Sequence, residues 1–237
     1  MADDGIARHE HHHRDVQGGA ARAAVFGVSD GLVSNVGLIL GVAAADPAPS
    51  VVRIAGLAGL VAGAISMAAG EYNSMRVQSE LLQRELDMER RELHRNPGHE
   101  TVELTQIYLA RGLPADQART LAETMMRDPD LALETHAREE LGIDPNDLGS
   151  PWQAAVSSLV AFAAGAVIPL APWFFGGGDA AMVASLVAAL VAAVVVGAVV
   201  AGFTDRSRAR TIGRQLAFTA VPAAITYAIG SAVGIGV

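Results

Sequence analysis

Asp30, Met67 and Glu71 lie in stretches whose other residues are almost all apolar. A charged side chain at bilayer depth costs about 2.5–3.5 kcal/mol on insertion scales, so each acid there needs a partner, water or a task. Met67 and Glu71 are four residues apart and share one helix face. A thioether one turn from a carboxylate sets a soft donor beside a hard one, a mixture that suits a borderline transition metal better than Mg²⁺ or Ca²⁺. Read alone, Met67 is equally at home as packing or lipid-facing material, and Glu71, four residues before Met75, is close enough to snorkel to the interface. Asp30 has a shorter side chain and apolar neighbours in Phe26, Val28, Leu32 and Val33, which makes that escape poorer. Ser34, Asn35, Ser66 and Asn73 could line a wet cavity shared with these groups.

A second group of acids falls in pairs. Glu89 and Glu92 are spaced i, i+3, and Glu100 and Glu103 repeat that spacing beyond Asn96-Pro97-Gly98. If the Pro-Gly turn folds the two helices antiparallel, four carboxylates come near one another. His136 and Glu140 are spaced i, i+4, with Glu139 beside them. Carboxylates with an occasional imidazole form the ligand set of Fe²⁺, Mn²⁺ or Zn²⁺. The competing reading is a solvated helix laced with Glu80/Arg84, Asp87/Arg91 and Glu92/Arg95 pairs. His9, His11, His12 and His13 form a further candidate metal-capturing tract.

The elements that must hold these groups follow from how charge is distributed. The chain has 237 residues, 51% hydrophobic and 18% charged, against about 25% charged in ordinary soluble domains. Residues 76–148 carry 25 of the 42 charges (16 acidic, 9 Arg), and 142 residues outside that stretch and the first 22 carry only 10. This is an all-α membrane protein with one polar insert. Without cysteine there is no disulfide, thiolate metal site or cysteine nucleophile. The net charge of −8 is no nucleic-acid footprint.

Five apolar stretches, at about 20–45, 51–75, 152–175, 180–204 and 215–236, are long enough to span a bilayer. The expected organisation is a His-rich tail over 1–19, spans one and two over 20–75, an acidic helical domain over 76–148, and spans three to five over 149–237. The second span should run on as one helix to about residue 95, followed by helices at about 99–111, 114–127 and 130–141. Leu82, Leu86 and Leu93 would face Leu104, Ile107, Leu121, Leu131 and Leu141. Gly37/Gly41 and Gly59/Gly63 are small pairs that let helix backbones approach. Placing the tail, the insert and the 204–214 loop in the cytoplasm puts 16 of 17 arginines inside, with Arg53 outside. The C-terminus is then outside. The absence of Lys beside 17 Arg points to a GC-rich bacterial genome, hence a plasma membrane.

The order of motifs resembles the vacuolar iron transporter family along nearly the whole chain. The likeness rests on Ser29-Asp30-Gly31-Leu32-Val33 and on Ala64-Ile65-Ser66-Met67-Ala68-Ala69-Gly70-Glu71-Tyr72. It continues through Ile107-Tyr108, Arg111-Gly112-Leu113 and Glu139-Glu140-Leu141-Gly142. The resemblance implies a homodimer that exports Fe²⁺, often Mn²⁺ too, in exchange for protons, with a cytoplasmic metal-binding domain grown from the second span and no resident cofactor. It puts Asp30, Met67 and Glu71 on the translocation path, and Glu89, Glu92, Glu100, Glu103 and Glu140 among the metal-binding carboxylates. The family's eukaryotic members carry paired methionines where this chain has His136-Ala137; the imidazole can replace one as a ligand, the methyl group cannot. Two other classes compete. An intramembrane hydrolase is disfavoured because all seven histidines lie outside the spans and Asp30 has no second Asp with which to form a dyad. A membrane-anchored metal sensor or buffer would bind metal without moving it, and a passive channel would move metal without protons.

Overall fold

The computed structural model describes residues 19–234, and every regular element among them is helical. The histidine tract at 9–13 lies outside the described residues. In order, the helices are α1 (Gly19–Ala43), α2 (Pro49–Arg95), α3 (Pro97–Ala110), α4 (Ala115–Met125), α5 (Pro129–Glu139), α6 (Pro151–Leu170), α7 (Gly178–Thr204) and α8 (Arg208–Gly234). A short 3₁₀ turn, Ala171–Phe174, follows α6. Five of them, α1, α2, α6 (extended by that turn), α7 and α8, are long and apolar enough to cross a membrane.

The α1–α2 turn is tight because Asp46 takes a left-handed conformation (φ 52°) and Pro49 opens α2. With 47 residues, α2 is about 70 Å long, more than twice what a bilayer requires. Its C-terminal part becomes the first helix of the polar insert. Asn96 alone separates it from α3, since Pro97 cannot donate the hydrogen bond that would continue it. α8 begins at Arg208, about seven residues before the expected apolar start, so the connection after α7 shrinks to Asp205-Arg206-Ser207. The arginines at 208, 210 and 214 therefore lie on the first turns of a helix, because helical hydrogen bonding continues past the apolar boundary.

α1 is the central helix and packs against α2, α6, α7 and α8. Its contact with α6 is backbone-close. A Cβ on Gly31 would strike the carbonyl of Phe162, and one on Gly165 would strike the carbonyl of Val28. Gly37 and Gly41 face Thr226 of α8, while Gly59 and Gly63 face Leu38 and Phe162, so both small pairs serve contacts within this chain. α7 follows the same logic. Ala181, Ser185, Ala189, Ala193, Gly197 and Ala201 point inward, and Val183, Val187, Val191 and Val195 point out. Small residues inside and large ones outside is the arrangement expected where lipid is the solvent. Pro169 deprives α6 of one hydrogen bond, and nearby carbonyls take side-chain donors: Asn35 Nδ2 bonds Ala166 O at 2.7 Å and Ser185 Oγ bonds Pro169 O at 2.6 Å.

In the insert, α3 and α4 share an apolar core of Leu104, Tyr108, Ala118 and Ala122. Leu86 joins the buried set, but Leu131, expected at the core, is 41% exposed. The inner face of α5 is made by Ala132, His136 and Ala137 instead, four residues apart or adjacent, which turns Leu131 outward.

Gly31→Ala should lower the thermal stability of the detergent-solubilised protein, by about 1–3 kcal/mol for overpacking against a fixed backbone. Gly70→Ala, where nothing stands within 4 Å, should be neutral or stabilising. Thermal unfolding of both variants checks the pair.

Candidate metal centre and membrane cavity

The centre of the insert is polar where a leucine core would be expected. Glu89 from α2 (5% exposed), Glu100 from α3 (3%) and His136 from α5 (0%) bring ligand atoms within 4.8 Å of one another. His136 Nδ1 stands 3.2 Å from Glu89, 3.5 Å from Glu140 and 3.9 Å from Glu100. Neither ring nitrogen of His136 has a hydrogen-bond partner, and Glu89 Oε1 has none either. A buried polar atom left unpaired costs about 1–3 kcal/mol, so this cluster is built at the expense of the insert's own stability. Its geometry could hold a divalent ion with two carboxylates and one imidazole, with Glu140 beside the imidazole.

The helices explain the convergence. α2 and α3 are joined by one residue across Pro97, which keeps Glu89 and Glu100 close, and α5 packs against both. Asp128 fixes the start of α5 by accepting from the N–H groups of Asp130 and Leu131. Glu140 lies at the C-terminal cap of α5, one turn after His136.

Around this trio the other expected ligands separate. Glu103 is half-buried and stands with Glu100 beside the exposed His99, whose Nδ1 lies 3.5 Å from Glu100 and 3.8 Å from Glu103. Glu92 is exposed and joins neither cluster. Glu139 turns away to pair with Arg111. The expected surface pairs on α2 form with different partners, Arg76–Glu80 and Arg90–Asp87.

Burial first, and then the charges of Glu140, Glu100, Glu92 and Glu103, push the Glu89 carboxyl up to about 7. Burial likewise raises Glu140, with Glu103 adding to the rise and His136 opposing it.

In the membrane-spanning part, Asp30, Ser34, Asn35, Leu38, Gly59, Gly63, Ser66, Met67 and Phe162 line a cavity of about 270 Å³ between α1, α2 and α6. Ser34 Oγ donates to Asp30 Oδ1 at 2.7 Å, and the buried Asn35 Oδ1 has no partner. The lining joins Asp30 and Met67 with three of the four polar residues expected there. Asn73 is exposed and absent from it. Glu71 is also outside the lining. It is buried one turn beyond Met67 and accepts a hydrogen bond from Arg22 of α1 at 3.2 Å. Arg22 had no sequence signal beyond its place among the arginines that set the orientation, because nothing in spacing links residues 49 apart. Phe162 and Leu38 were equally silent, being ordinary apolar residues. At the same level Tyr72 packs on the largely exposed Trp152 with ring centroids 4.9 Å apart, the aromatic pair expected at a membrane–water boundary.

Together these features define a multi-pass membrane protein with an acid lining a cavity inside its spans and a buried carboxylate–imidazole cluster outside them. The VIT family matches residues 21–231. A vacuolar iron transporter 1 of Oryza sativa subsp. japonica is 32% identical over 176 residues, covering 73% of this chain and 70% of that protein. The vacuolar iron transporter 1 of Eucalyptus grandis is 29% identical over 217 residues, 91% of this chain and 87% of that protein. The vacuolar iron transporter of Acanthamoeba castellanii is 38% identical over 160 residues, 67% and 58% of the two chains. This chain belongs to the VIT family.

A carboxyl raised from 4.5 to about 7 stabilises the fold while it is protonated, so in metal-free protein that contribution is complete below about pH 4.5 and lost as pH rises through 7. Denaturant unfolding without metal should therefore show the insert losing on the order of 2–3 kcal/mol between pH 4.5 and 8. Glu89→Gln should flatten that slope and leave the variant the more stable of the two at pH 8.

Proposed function

We propose that this protein exports divalent iron, with Mn²⁺ as a second substrate and Zn²⁺ as a further ion its insert binds, from the cytosol in exchange for protons. The observation that carries the reading is the cavity that Asp30 of α1 and Met67 of α2 both line. A carboxylate and a thioether lining the same wet space inside the spans form a transition-metal path rather than a packing defect. The names of the relatives supply the metal.

The insert lies in the cytoplasm with the N-terminus, and the C-terminus lies outside, a reading the placement of the arginines supports. Glu89, Glu100, His136 and Glu140 capture the ion, with Glu103 and His99 at the exposed side of the cluster. Capture expels a proton, because Glu89 is largely protonated below pH 7 and must ionise to bind. The ion then moves to Asp30 and Met67, where protein donors replace part of its water shell. A proton arriving from the far side then competes with the metal for the path's carboxylate and releases it. Two such chains pair as a homodimer. The membrane is the plasma membrane of a bacterium, consistent with a chain that uses 17 arginines and no lysine.

Purified protein in liposomes, given Fe²⁺ or Mn²⁺ and a pH gradient, should accumulate metal and move protons the other way. Asp30→Ala should abolish the flux, and normal transport by that variant would remove the basis of the assignment. Binding without flux would instead favour a membrane-anchored buffer, and flux without proton movement a channel. Separately, His136→Ala should weaken metal binding by the full-length protein roughly 10–100-fold or more, with fewer protons released per ion for Glu89→Gln, both read by calorimetry in buffers of different ionisation enthalpy.

A further inference from the structure

Glu71 is the one acid of the proposed path whose charge is already neutralised by a cation of the chain itself. Its side chain is 10% exposed, while that of Arg22, which holds it at 3.2 Å, is 66% exposed. The pair joins the start of α1 to α2 one turn on the insert side of Met67. It therefore sits between the insert and the Asp30–Met67 cavity, at the depth of the Tyr72–Trp152 boundary pair. The partners are unequal in what holds them. Glu71 is enclosed by packed helices, whereas Arg22 is the fourth residue of α1 and most of its side chain is exposed.

The geometry points to Arg22 as a displaceable counter-cation. In the empty state it occupies the Glu71 carboxylate, and an arriving divalent ion takes its place. The inference rests on the transport reading above and assigns the step between the insert and the cavity. A buried carboxylate left bare would be costly, and it would attract any cation present. A tethered guanidinium is at high effective concentration there, so a hydrated monovalent ion gains too little to replace it. A divalent transition metal brings twice the charge, and Met67 offers it a thioether on the same face one turn deeper. Arg22 can leave at small cost because most of its side chain already lies outside the helix packing.

The test is Mn²⁺ uptake by full-length protein in liposomes across a range of Mn²⁺ concentrations. Arg22→Gln should lower KM about two- to fivefold, the range a partly exposed ion pair is worth, with the maximal rate retained. Arg22→Lys, which keeps the cation, should keep the wild-type KM. The double exchange Arg22→Glu with Glu71→Arg preserves the pair, so it should restore thermal stability yet carry no Mn²⁺, because the buried partner is now a cation. An unchanged KM in Arg22→Gln, or a double exchange that transports like wild type, would show a purely structural ion pair and overturn the inference while wild-type flux and its loss in Asp30→Ala stand. A wild-type protein without flux overturns the transport reading and this step with it.

Discussion

A carboxylate taken out of water must be met by a proton, a hydrogen-bond donor or a cation, and this chain meets that demand differently at each depth. Asp30 has a hydroxyl donor in Ser34 and a cavity large enough for water. Glu71 has the Arg22 guanidinium. Glu89 Oε1 has no hydrogen-bond donor, and burial with the neighbouring acids pushes its carboxyl up to about 7. Ordered from the insert into the membrane, the acids run from one whose carboxyl is pushed up by burial, through one paired with a guanidinium, to one that lines a cavity beside a hydroxyl donor.

The membrane helices are shaped to allow such openings without losing the fold. α1 approaches α6 so closely that glycine is required at 31 and 165. Close backbones give dispersion contact over a long seam in a solvent as apolar as the side chains themselves. With that seam fixed, α2 meets Leu38 and Phe162 closely at Gly59 and Gly63, and the cavity lies beside those contacts. The valine stripe on α7 faces outward and the alanine stripe inward for the same reason.

The insert carries the opposite balance. Its apolar core is confined to α3 and α4, and the space between α2, α3 and α5 is occupied by ionisable groups. Stability there is tied to the protonation state of Glu89, whose carboxyl burial pushes up to about 7. His136 is fully buried there, with its Nδ1 within 4 Å of three carboxylates and no well-formed hydrogen bond on either nitrogen.

The sequence alone determined the solvent, the number of spanning helices, the long α2 and the Pro97 break, because these depend on hydropathy, length and backbone chemistry that act locally. It also marked Asp30 and Met67, since an acid in an apolar run and a thioether at helical spacing are visible in one dimension. The i, i+3 and i, i+4 spacings marked the acids of the insert without saying which would be enclosed: Glu92, one turn from Glu89, faces solvent, and Leu131 gave way to Ala132 and His136. Only the tertiary structure decided those choices, together with the Arg22–Glu71 pair and the part of Phe162 in the cavity wall. Each of them depends on how one helix is rotated against another distant in the chain. That rotation is fixed by packing between surfaces, and no periodicity within a single segment encodes it.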